Sequence, residues 1–306
     1  MTSRSPFFYV GDKYKLINQL KKLFPTNINR LIEPFCGGGS VFLNIEANSY
    51  LANDNNAFMI KLHKFFKSYK NLNKFTADFE KTINSYGLSA SYLGKEAPAE
   101  LKKKFVKTYY ARFNSSAYLK LREDFNKDKT NLMLLYTLLI YGFNHMLRFN
   151  SSGDFNLPVG NVDYNKNVHN ALSAYFDFIK KHKIKFFCQD FRKFIYNLKF
   201  EKGDFIYLDP PYLISASEYN KFWDIKEEND LLKAMDYIND NGVEFALSNV
   251  FIHKGNKNDL LMKWAKKYYV YHINSNYISY HDNTIKNTVE VLVTNYKVKG
   301  EKLYEY

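Results

Sequence analysis

The stretch Phe205-Ile206-Tyr207-Leu208-Asp209-Pro210-Pro211-Tyr212 decides the fold class of this chain. Its first four residues form a continuous apolar run, which predicts a strand buried on both faces of a sheet. A carboxylate, two prolines and an aromatic ring then follow where the strand ends, and open α/β sheets bind their ligands at such ends. The Asp209 carboxylate, the Pro210 carbonyl and the flat face of Tyr212 suit a planar group with an exocyclic amine. The pattern therefore indicates a nucleobase site.

The N-terminal part of the chain predicts the start of a nucleotide-binding α/β unit. Residues 30–36 indicate a strand that runs into the turn Gly37-Gly38-Gly39-Ser40, and residues 41–45 are expected to begin a helix. Residues 50–54 predict a second strand that ends in Asp54. A carboxylate at that position accepts hydrogen bonds from ribose in this fold type, although a lone Asp also suits a helix cap.

The glycine turn lacks two familiar phosphate-binding patterns. It has neither the G-x-G-x-x-G spacing of a dinucleotide site nor the Lys-Ser/Thr of a P-loop. A pyrophosphate cradle is therefore disfavoured and an NAD oxidoreductase is excluded. A turn rich in glycine still lets the backbone approach an amino-acid or nucleoside group closely.

The middle of the chain has a different pattern from its two ends. We expect helices over residues 59–72, 101–113 and 132–141, followed by a polar hairpin or loop over 148–156 that closes at 157–160. Strands are then expected over 185–188, 204–208, 244–249 and 288–294, with helices over 231–239 and 260–267. The predicted fold is α/β, with one domain formed by residues 1–56 and 166–306 and a helical domain formed by residues 57–165.

The composition points to a polyanionic partner. The 306 residues carry 44 Lys/Arg and 31 Asp/Glu, a net charge of +13. Residues 57–165 hold 17 of these basic residues and 9 of the acidic ones. This predicts that the helical domain binds nucleic acid, while solvated lysine-rich helix faces remain the alternative.

Other sequence features limit the class of protein. No apolar run has transmembrane length and no signal-peptide pattern is present, so we expect a cytoplasmic protein with no membrane contact. Cys36 and Cys188 are the only cysteines, and both are expected to be reduced thiols in the core. No His/Cys/carboxylate ligand set is present, and we expect no metal.

Two motifs and their order carry a family resemblance. Residues 33–40 and Asp209 to Tyr212 resemble the S-adenosylmethionine (AdoMet) and catalytic motifs of amino-methyltransferases. The insertion between them resembles the α group of DNA adenine-N6 methyltransferases and, more narrowly, the Dam family with its phage-type members. Further similar stretches, which extend the resemblance over nearly the whole chain, are 121–126, 141–150, 208–223 and 246–250.

The resemblance implies a fold and a reaction. The fold would be a Rossmann-like methyltransferase domain with a mixed sheet and an inserted helical DNA-recognition domain. The enzyme would transfer a methyl group from AdoMet to N6 of an adenine flipped out of double-stranded DNA, within GATC and without a metal. It would leave S-adenosyl-L-homocysteine as product.

The resemblance also implies roles for individual residues. Asp209, Pro210 and Tyr212 would be catalytic. Tyr9 would stack near the cofactor adenine, Asp54 would bind its ribose, and Asp190 with Phe191 would contact its adenine. The full set of expected cofactor-binding residues is Tyr9, Lys13, Glu33, Phe35, Gly37, Gly39, Asp54, Asp190, Phe191 and Asp209.

The DNA contacts implied by the resemblance lie in the helical domain. Phe143 would enter the base stack as a wedge when the target base leaves, and Arg148 would bind a guanine edge. The full set is Phe143, Asn144, Met146, Arg148, Asn150 and Pro158. Core packing remains the alternative for Phe143 and Met146, and we expect His145 to face the surface or the backbone rather than to catalyse.

The chain departs from the family pattern in three places. Val159 stands where the family commonly has Phe, and Phe8 stands where cellular Dam proteins carry a lysine that reads a flanking guanine. Residues 88–111 also form a longer segment than in phage-type members. These departures leave GATC less well supported than the chemistry.

Several functions remain open beside the favoured one. They are adenine methylation within another short site, a catalytically silent DNA-binding relative, and a methyltransferase for cytosine N4, RNA or a protein glutamine. Asp rather than Ser or Asn before Pro210 argues against cytosine N4 and glutamine, and the basic insertion argues for duplex DNA. We expect a monomer in solution, with room for more than one copy on DNA, in a bacterium or a phage-infected cell.

Overall fold

A computed structural model describes residues 2–215, 223–274 and 288–305 of the chain. Residues 216–222, within the stretch 208–223 noted above, lie outside this part. The strands are β1 (Arg30–Glu33), β2 (Ser49–Asn53), β3 (Lys183–Phe187), β4 (Asp204–Leu208), β5 (Glu244–His253), β6 (Asn256–Lys257), β7 (Tyr269–Ile273) and β8 (Val289–Thr294). The helices are α1 (Ile17–Leu23), α2 (Ala57–Ser68), α3 (Leu72–Tyr86), α4 (Ala99–Lys104), α5 (Tyr109–Lys127), α6 (Leu132–Tyr141), α7 (Lys166–Lys181), α8 (Phe191–Tyr196), α9 (Ile225–Asp240) and α10 (Asp259–Ala265).

The strands form one mixed sheet in the order β3-β2-β1-β4-β5-β8-β7, with β6 paired to β5. The pairs from β3 to β5 are parallel, and β8 is antiparallel to both β5 and β7. The chain moves outward from β1 to β3 on one side and returns as β4 on the other. The β1–β4 boundary is thus the switch point of the sheet, where open α/β sheets bind ligands. The predicted Rossmann-like fold with a mixed sheet is confirmed.

Helices cover both faces of the sheet. All of β4 is buried, and its alternate residues belong to two hydrophobic clusters. Phe205 and Tyr207 belong to the cluster that contains α1, α2, α3, α5, α6 and α7. Ile206 and Leu208 belong to the cluster that contains α8, α9 and α10. Burial on both faces explains why β4 is a continuous apolar run rather than an alternating one.

The helical region is organised around α6. Residues Met133 to Tyr141 are all buried, as expected for a helix that is apolar around its whole circumference. The buried residues of α6 belong to the same hydrophobic cluster as Phe205 and Tyr207 of β4, so this core is continuous with one face of the sheet. Within the described ranges, no helix combines the length and apolarity needed to cross a lipid bilayer. The division of the chain at residues 57 and 165 stays a prediction.

Two of the predicted helices are wrong. Residues 41–45 form turns rather than the start of a helix, because the Asn44 N–H donates to the Val41 carbonyl, three residues back, and interrupts the i→i−4 pattern. The Asn44 side chain bonds the N-terminal segment. Its Nδ2 donates to the Ser3 carbonyl at 2.7 Å, and its Oδ1 accepts from the Ser3 N–H at 2.7 Å. Residues 101–113 are not one helix but the end of α4 and the start of α5.

Further predictions differ in smaller ways. The helix predicted over 59–72 ends at Ser68, and α3 begins at Leu72. The two cysteines are free, but only Cys36 is buried, since Cys188 is exposed after the edge strand β3. Of the hairpin or loop predicted over 148–156, the structure shows the hairpin, with an antiparallel bridge between Phe149 and Phe155, and a second bridge joins Gly142 to Val159 in the closing segment.

Candidate active site

Asp209 lies directly after β4, at the switch point of the sheet. Its Oδ1 lies 2.7 Å from Nζ of Lys13, which is 4% exposed, while the Asp209 side chain is 19% exposed. Lys13 precedes the 3₁₀ turn Tyr14–Leu16 that leads into α1. The expected cofactor residue and the expected catalytic residue therefore form one largely buried ion pair, although 195 residues lie between them in the sequence.

The Tyr212 side chain completes this cluster. Its hydroxyl donates to Oδ1 of Asp209 at 3.1 Å and lies 3.5 Å from Oε1 of Glu290. Lys13 Nζ lies 5.3 Å from the centre of the Tyr212 ring, which places the cation within range of its π face. Pro210, which follows Asp209 in the sequence, is buried. The structure thus brings Lys13, Asp209 and Tyr212 together, and their cofactor-binding and catalytic roles stay predictions.

Glu33 ends β1 beside the same cluster. It is 2% exposed, and within the described part of the chain its Oε1 has no hydrogen-bond partner. Burial raises the pKa of Glu33 well above its usual range, against the backbone N–H of Phe42 and with the help of the Asp209 charge. A buried carboxyl oxygen without a donor is the kind of atom that a cationic or N–H-bearing ligand would satisfy.

Tyr9 lies against the glycine turn. A Cβ at Gly38 would come within 2.8 Å of the Tyr9 Cβ, and a Cβ at Gly37 within 3.3 Å of its ring. Gly39 has a φ of +80°, and a Cβ there would lie 2.2 Å from Phe42. The turn therefore requires glycine because aromatic rings approach its backbone closely.

Asp54 holds the glycine turn from the end of β2. Its Oδ2 accepts from the Gly37 N–H at 2.9 Å and its Oδ1 accepts from the Asn56 N–H at 2.8 Å. Burial raises the pKa of Asp54, against these backbone donors. Each carboxylate oxygen retains further acceptor capacity. The expected ribose contact stays a prediction.

Asp190 and Phe191 lie at the start of α8. Asp190 caps the helix by accepting from the Arg192 N–H at 2.9 Å, and its carboxylate lies 2.7 Å from the Arg192 guanidinium. Partial burial would raise the pKa of Asp190, but the hydrogen bonds from Arg192 outweigh it and lower the pKa. The Phe191 ring lies 5.2 Å from Phe35 and 5.7 Å from Trp223. Phe35 and Phe191 thus form one aromatic wall beside the glycine turn.

The turn Phe143–His145 after α6, here called the reading turn because the resemblance places DNA contacts on it, is exposed at Phe143 and Asn144. Phe143 is 51% exposed, so core packing is not its role, and its N–H donates to the Pro158 carbonyl at 2.9 Å. Asn144 and His145 both have positive φ, at 53° and 51°, an uncommon conformation for residues other than glycine. The turn holds Phe143, Asn144 and Pro158 on one exposed edge.

His145 faces the backbone, as expected. Its Nδ1 lies 3.1 Å from the Leu139 carbonyl, and its ring lies 5.0 Å from the ring of Phe8. Burial lowers the pKa of His145, which favours the neutral ring. The contact with Phe8 links the reading turn to the segment that carries Tyr9 and Lys13.

The remaining expected DNA contacts lie on or next to the hairpin. Arg148 donates through Nε to the Asn156 side chain at 2.9 Å and through Nη2 to the Asn156 carbonyl at 2.8 Å. Asn150 accepts from the Asp154 N–H at 2.8 Å and so closes the turn. Met146 is partly buried against the core. Their DNA-binding roles stay predictions.

Sequence reasoning missed two residues that hold the site. His63 on α2 reaches the glycine turn, with Nε2 2.8 Å from the Gly37 carbonyl and Nδ1 2.6 Å from the Tyr175 hydroxyl. Because a carbonyl only accepts, Nε2 carries the proton. Glu290 on β8 reaches Tyr212 from the antiparallel part of the sheet. Neither belongs to a local motif, and only the long-range packing reveals them.

Comparison with known proteins gives the family. Residues 9–278 match the protein family described as "D12 class N6 adenine-specific DNA methyltransferase". Type II methyltransferase M.FokI of Planomicrobium okeanokoites is 34% identical over 96% of this chain and 43% of its own length. Modification methylase StsI of Streptococcus sanguinis is 34% identical over 97% of this chain and 43% of its own.

The similarity to Dam-type enzymes is less extensive. DNA adenine methylase of Haemophilus influenzae is 31% identical over 70% of this chain and 66% of its own length. The two modification methylases instead match nearly the whole chain, which spans less than half of their length. The match to residues 9–278 covers the Lys13–Asp209 cluster, the glycine turn and the reading turn together. The chain therefore belongs to the D12 class of N6 adenine-specific DNA methyltransferases.

Proposed function

We propose that this chain transfers a methyl group from AdoMet to N6 of an adenine flipped out of double-stranded DNA. The observation that carries the proposal is the cluster of Asp209, Lys13 and Tyr212 at the switch point of the sheet. When bound, AdoMet supplies an electrophilic methyl group on a positively charged sulfur. The chain's own residues must then bind the cofactor, present the amine and exclude competing water.

The residues beside Asp209 fit a cationic cofactor. Glu33 has a buried carboxyl oxygen without a partner among the described residues, and Gly37 of the glycine turn is partly exposed next to Tyr9. Asp54 retains acceptor capacity for hydroxyl groups at the next strand end. We assign the cofactor's amino-acid part to the turn between Glu33 and Gly39, and its nucleoside to Asp54 and the Phe35–Phe191 wall.

The chemistry follows from the poor nucleophilicity of adenine N6, whose lone pair is delocalised into the ring. Asp209 and the Pro210 carbonyl would accept the two N6–H groups, which favours a more tetrahedral nitrogen. Lys13 and Tyr212 both contact Oδ1 of Asp209, so Oδ2 is the natural acceptor for N6–H. The carboxylate also stabilises the positive charge that develops on nitrogen, and this effect is electrostatic rather than covalent.

A base inside a duplex cannot reach this cluster and must leave the stack. The half-buried Tyr212 ring offers the flat surface on which the flipped adenine would stack. The exposed Phe143 ring lies on the reading turn, where it would fill the space that the base vacates. The contact between Phe8 and His145 connects this turn to the catalytic cluster.

The basic helical region would bind the duplex. Asn161 Oδ1 accepts from the Tyr110 and Ala111 N–H groups at 2.8 and 3.2 Å, which ties the start of α5 to the segment after Pro158. Arg112, near this start, is exposed. Residues 88–111, the segment that is longer than in phage-type members, thus continue the exposed edge of the reading turn. We assign this segment phosphate contacts outside the target site.

The target sequence is a separate matter from the chemistry. GATC is the site that the Dam resemblance implies, and we test it first. Phe8, which replaces the base-reading lysine, is 7% exposed and lies 4.7 Å from the Arg4 guanidinium. A buried ring with no N–H cannot read a guanine edge, which favours another short adenine-containing site as the second candidate.

Plasmid DNA incubated with the protein and labelled AdoMet tests this function. N6-methyladenine mapped by sequencing would give the reaction and the site in one measurement. An Asp177→Ala variant, altered at an exposed residue on α7, is the matched control for Asp209→Ala. We expect methylation by the wild type and the control and none by Asp209→Ala. DNA binding without methylation by the wild type would overturn the proposal.

A further inference from the structure

The Tyr212 hydroxyl lies between two carboxylates. It is 3.1 Å from Asp209 Oδ1 and 3.5 Å from Glu290 Oε1. The first distance is that of a hydrogen bond, and the second lies at the outer limit of one. Asp209 follows β4 and Glu290 belongs to β8, so the two acids approach the ring from opposite sides of β5.

Glu290 occupies a position that the sheet would otherwise fill with an apolar residue. It is 1% exposed, and the next three residues of β8 are buried and apolar. Its backbone is fixed between Val250 of β5 and Ile273 of β7. A carboxylate in such a place lowers the stability of the fold unless polar groups face it. Tyr212 is such a group, and it belongs to the catalytic motif.

A phenol has one proton to donate. While Tyr212 donates it to Asp209, that carboxylate already accepts a bond from Lys13 on the same oxygen. The bond from Tyr212 draws further negative charge from the carboxylate, because the charge is shared by both oxygens, whereas Lys13 also holds the carboxylate in place. Asp209 then accepts more weakly from N6–H and stabilises less of the positive charge that develops on nitrogen. The rate of methyl transfer should therefore be higher when the Tyr212 hydroxyl donates to another acceptor.

We propose that Glu290 is a positioning residue that accepts the Tyr212 hydrogen bond when the target adenine stacks on the ring. The proton stays on the Tyr212 oxygen throughout, and only its acceptor changes from Asp209 to Glu290. This exchange leaves Asp209 to the amine and fixes the plane of the ring. The inference rests on the proposed methyl transfer to adenine and adds to it the state of Tyr212 during that step.

A double-mutant cycle tests the exchange. Single-turnover methyl transfer to duplex DNA is measured at saturating AdoMet for the wild type, Glu290→Leu, Tyr212→Phe and the double variant. Glu290→Leu leaves the hydroxyl on Asp209, and we expect a loss of about tenfold or more in rate, the effect of one hydrogen bond to a charged group. Glu290→Gln keeps an oxygen acceptor, and its rate should stay within about threefold of the wild type.

The double variant gives the decisive result. Tyr212→Phe keeps the ring for stacking but removes the competing hydroxyl, so it should rescue Glu290→Leu to the rate of Tyr212→Phe alone. A double variant as slow as Glu290→Leu, or slower, overturns the exchange, because independent effects multiply. A Glu290→Leu rate equal to that of the wild type also overturns it. If Glu290→Leu impairs folding, Glu290→Val is used in its place, because valine is the residue on both sides of position 290.

Two controls separate this inference from general damage and from the function itself. Thr294→Val replaces a buried polar residue on the same strand and the same face, and it should leave the rate unchanged. The Kd values for DNA and AdoMet should be the same for Glu290→Leu and the wild type, and a loss of binding that accounts for the slower rate would overturn the inference. Failure of the wild type to methylate would refute the proposed function, whereas an additive cycle in an active enzyme refutes only the role of Glu290.

Discussion

Lys13 Nζ lies 2.7 Å from Asp209 Oδ1, and this contact joins the segment that carries Tyr9 to the strand end that carries Asp209-Pro210-Pro211-Tyr212. Lys13 is nearly inaccessible to solvent, so the pair is screened less by water than a surface ion pair. It keeps the carboxylate in place beside the Tyr212 ring. The site thus has a fixed acceptor before any ligand binds.

Replacing Lys13 with Met removes the cation and keeps an unbranched side chain that is one atom shorter. We expect the single-turnover rate of methyl transfer to fall by about tenfold or more, because Asp209 loses a charged partner that positions it. Lys15→Met, at an exposed position two residues later, should leave the rate unchanged. Equal rates for Lys13→Met and Lys15→Met would show that the pair has no part in the reaction.

Glu33→Gln should change how stability depends on pH. Burial raises the pKa of Glu33 well above 4.5 in the folded state, so the folded protein binds a proton that the unfolded chain has released. The wild type therefore loses stability as pH rises from about 4.5 towards the folded pKa, whereas a glutamine has no proton to lose.

Thermal unfolding of the two ligand-free proteins between pH 5 and 8 measures this effect. The difference in Tm should move in favour of Glu33→Gln as pH rises. A difference that is constant over this range, or that moves in favour of the wild type, would contradict the raised pKa of the buried Glu33.

His63 should make the fold sensitive to acid. Burial lowers its pKa from 6.5 to about 4, against the bond to Gly37, so the unfolded chain binds a proton that the folded protein does not. Stability is complete above pH 6.5 and is lost as pH falls towards 4. The loss is on the order of 3 kcal/mol in the free energy of unfolding.

Urea unfolding at several pH values between 4 and 7 measures the contribution of His63. His63→Gln keeps an N–H that can reach the Gly37 carbonyl but does not titrate, so its free energy of unfolding should fall less steeply with acid. Parallel pH profiles for the two proteins would exclude His63 as the source.

Arg148 should read one base pair. Its Nε and one Nη2 proton bind Asn156, which leaves the outer edge of the guanidinium, with N–H groups on both terminal nitrogens, for a guanine. Arg148→Lys keeps the charge but loses the paired donors. Its discrimination at one position of the site should fall by about 1–3 kcal/mol.

Competition between duplexes that differ at single positions measures the discrimination. Loss confined to one base pair supports direct reading. Equal weakening for every duplex would instead identify Arg148 as a phosphate contact or as a support for the hairpin.

The sequence predicted elements that depend on local pattern and missed those that depend on distant partners. The bounds of β4 and α6 agree with the prediction because a continuous apolar run needs no knowledge of its neighbours. The break between α4 and α5 was missed because Asn161, about fifty residues away, caps the start of α5. Nothing within residues 101–113 shows that cap.

The same distinction applies to the site. Asp209 and Tyr212 belong to one short stretch of sequence and the glycine turn to another, so each can be recognised locally. Their joint position at the switch point follows from the order of the strands. Glu290 was predicted only as part of a strand, because its meaning depends on the antiparallel placement of β8 beside β5. His63 lies on a helix assigned to the other domain, and only the packing of α2 against the glycine turn gives it a role.

The most direct test of the central claim is mass spectrometry of nucleosides from duplex DNA treated with AdoMet and the protein. The wild type should produce N6-methyladenine, and Asp209→Ala should produce none while it still binds the duplex. N6-methyladenine formed by Asp209→Ala at the wild-type rate would contradict the role given to this carboxylate. Methylcytosine in place of methyladenine would contradict the proposed reaction itself.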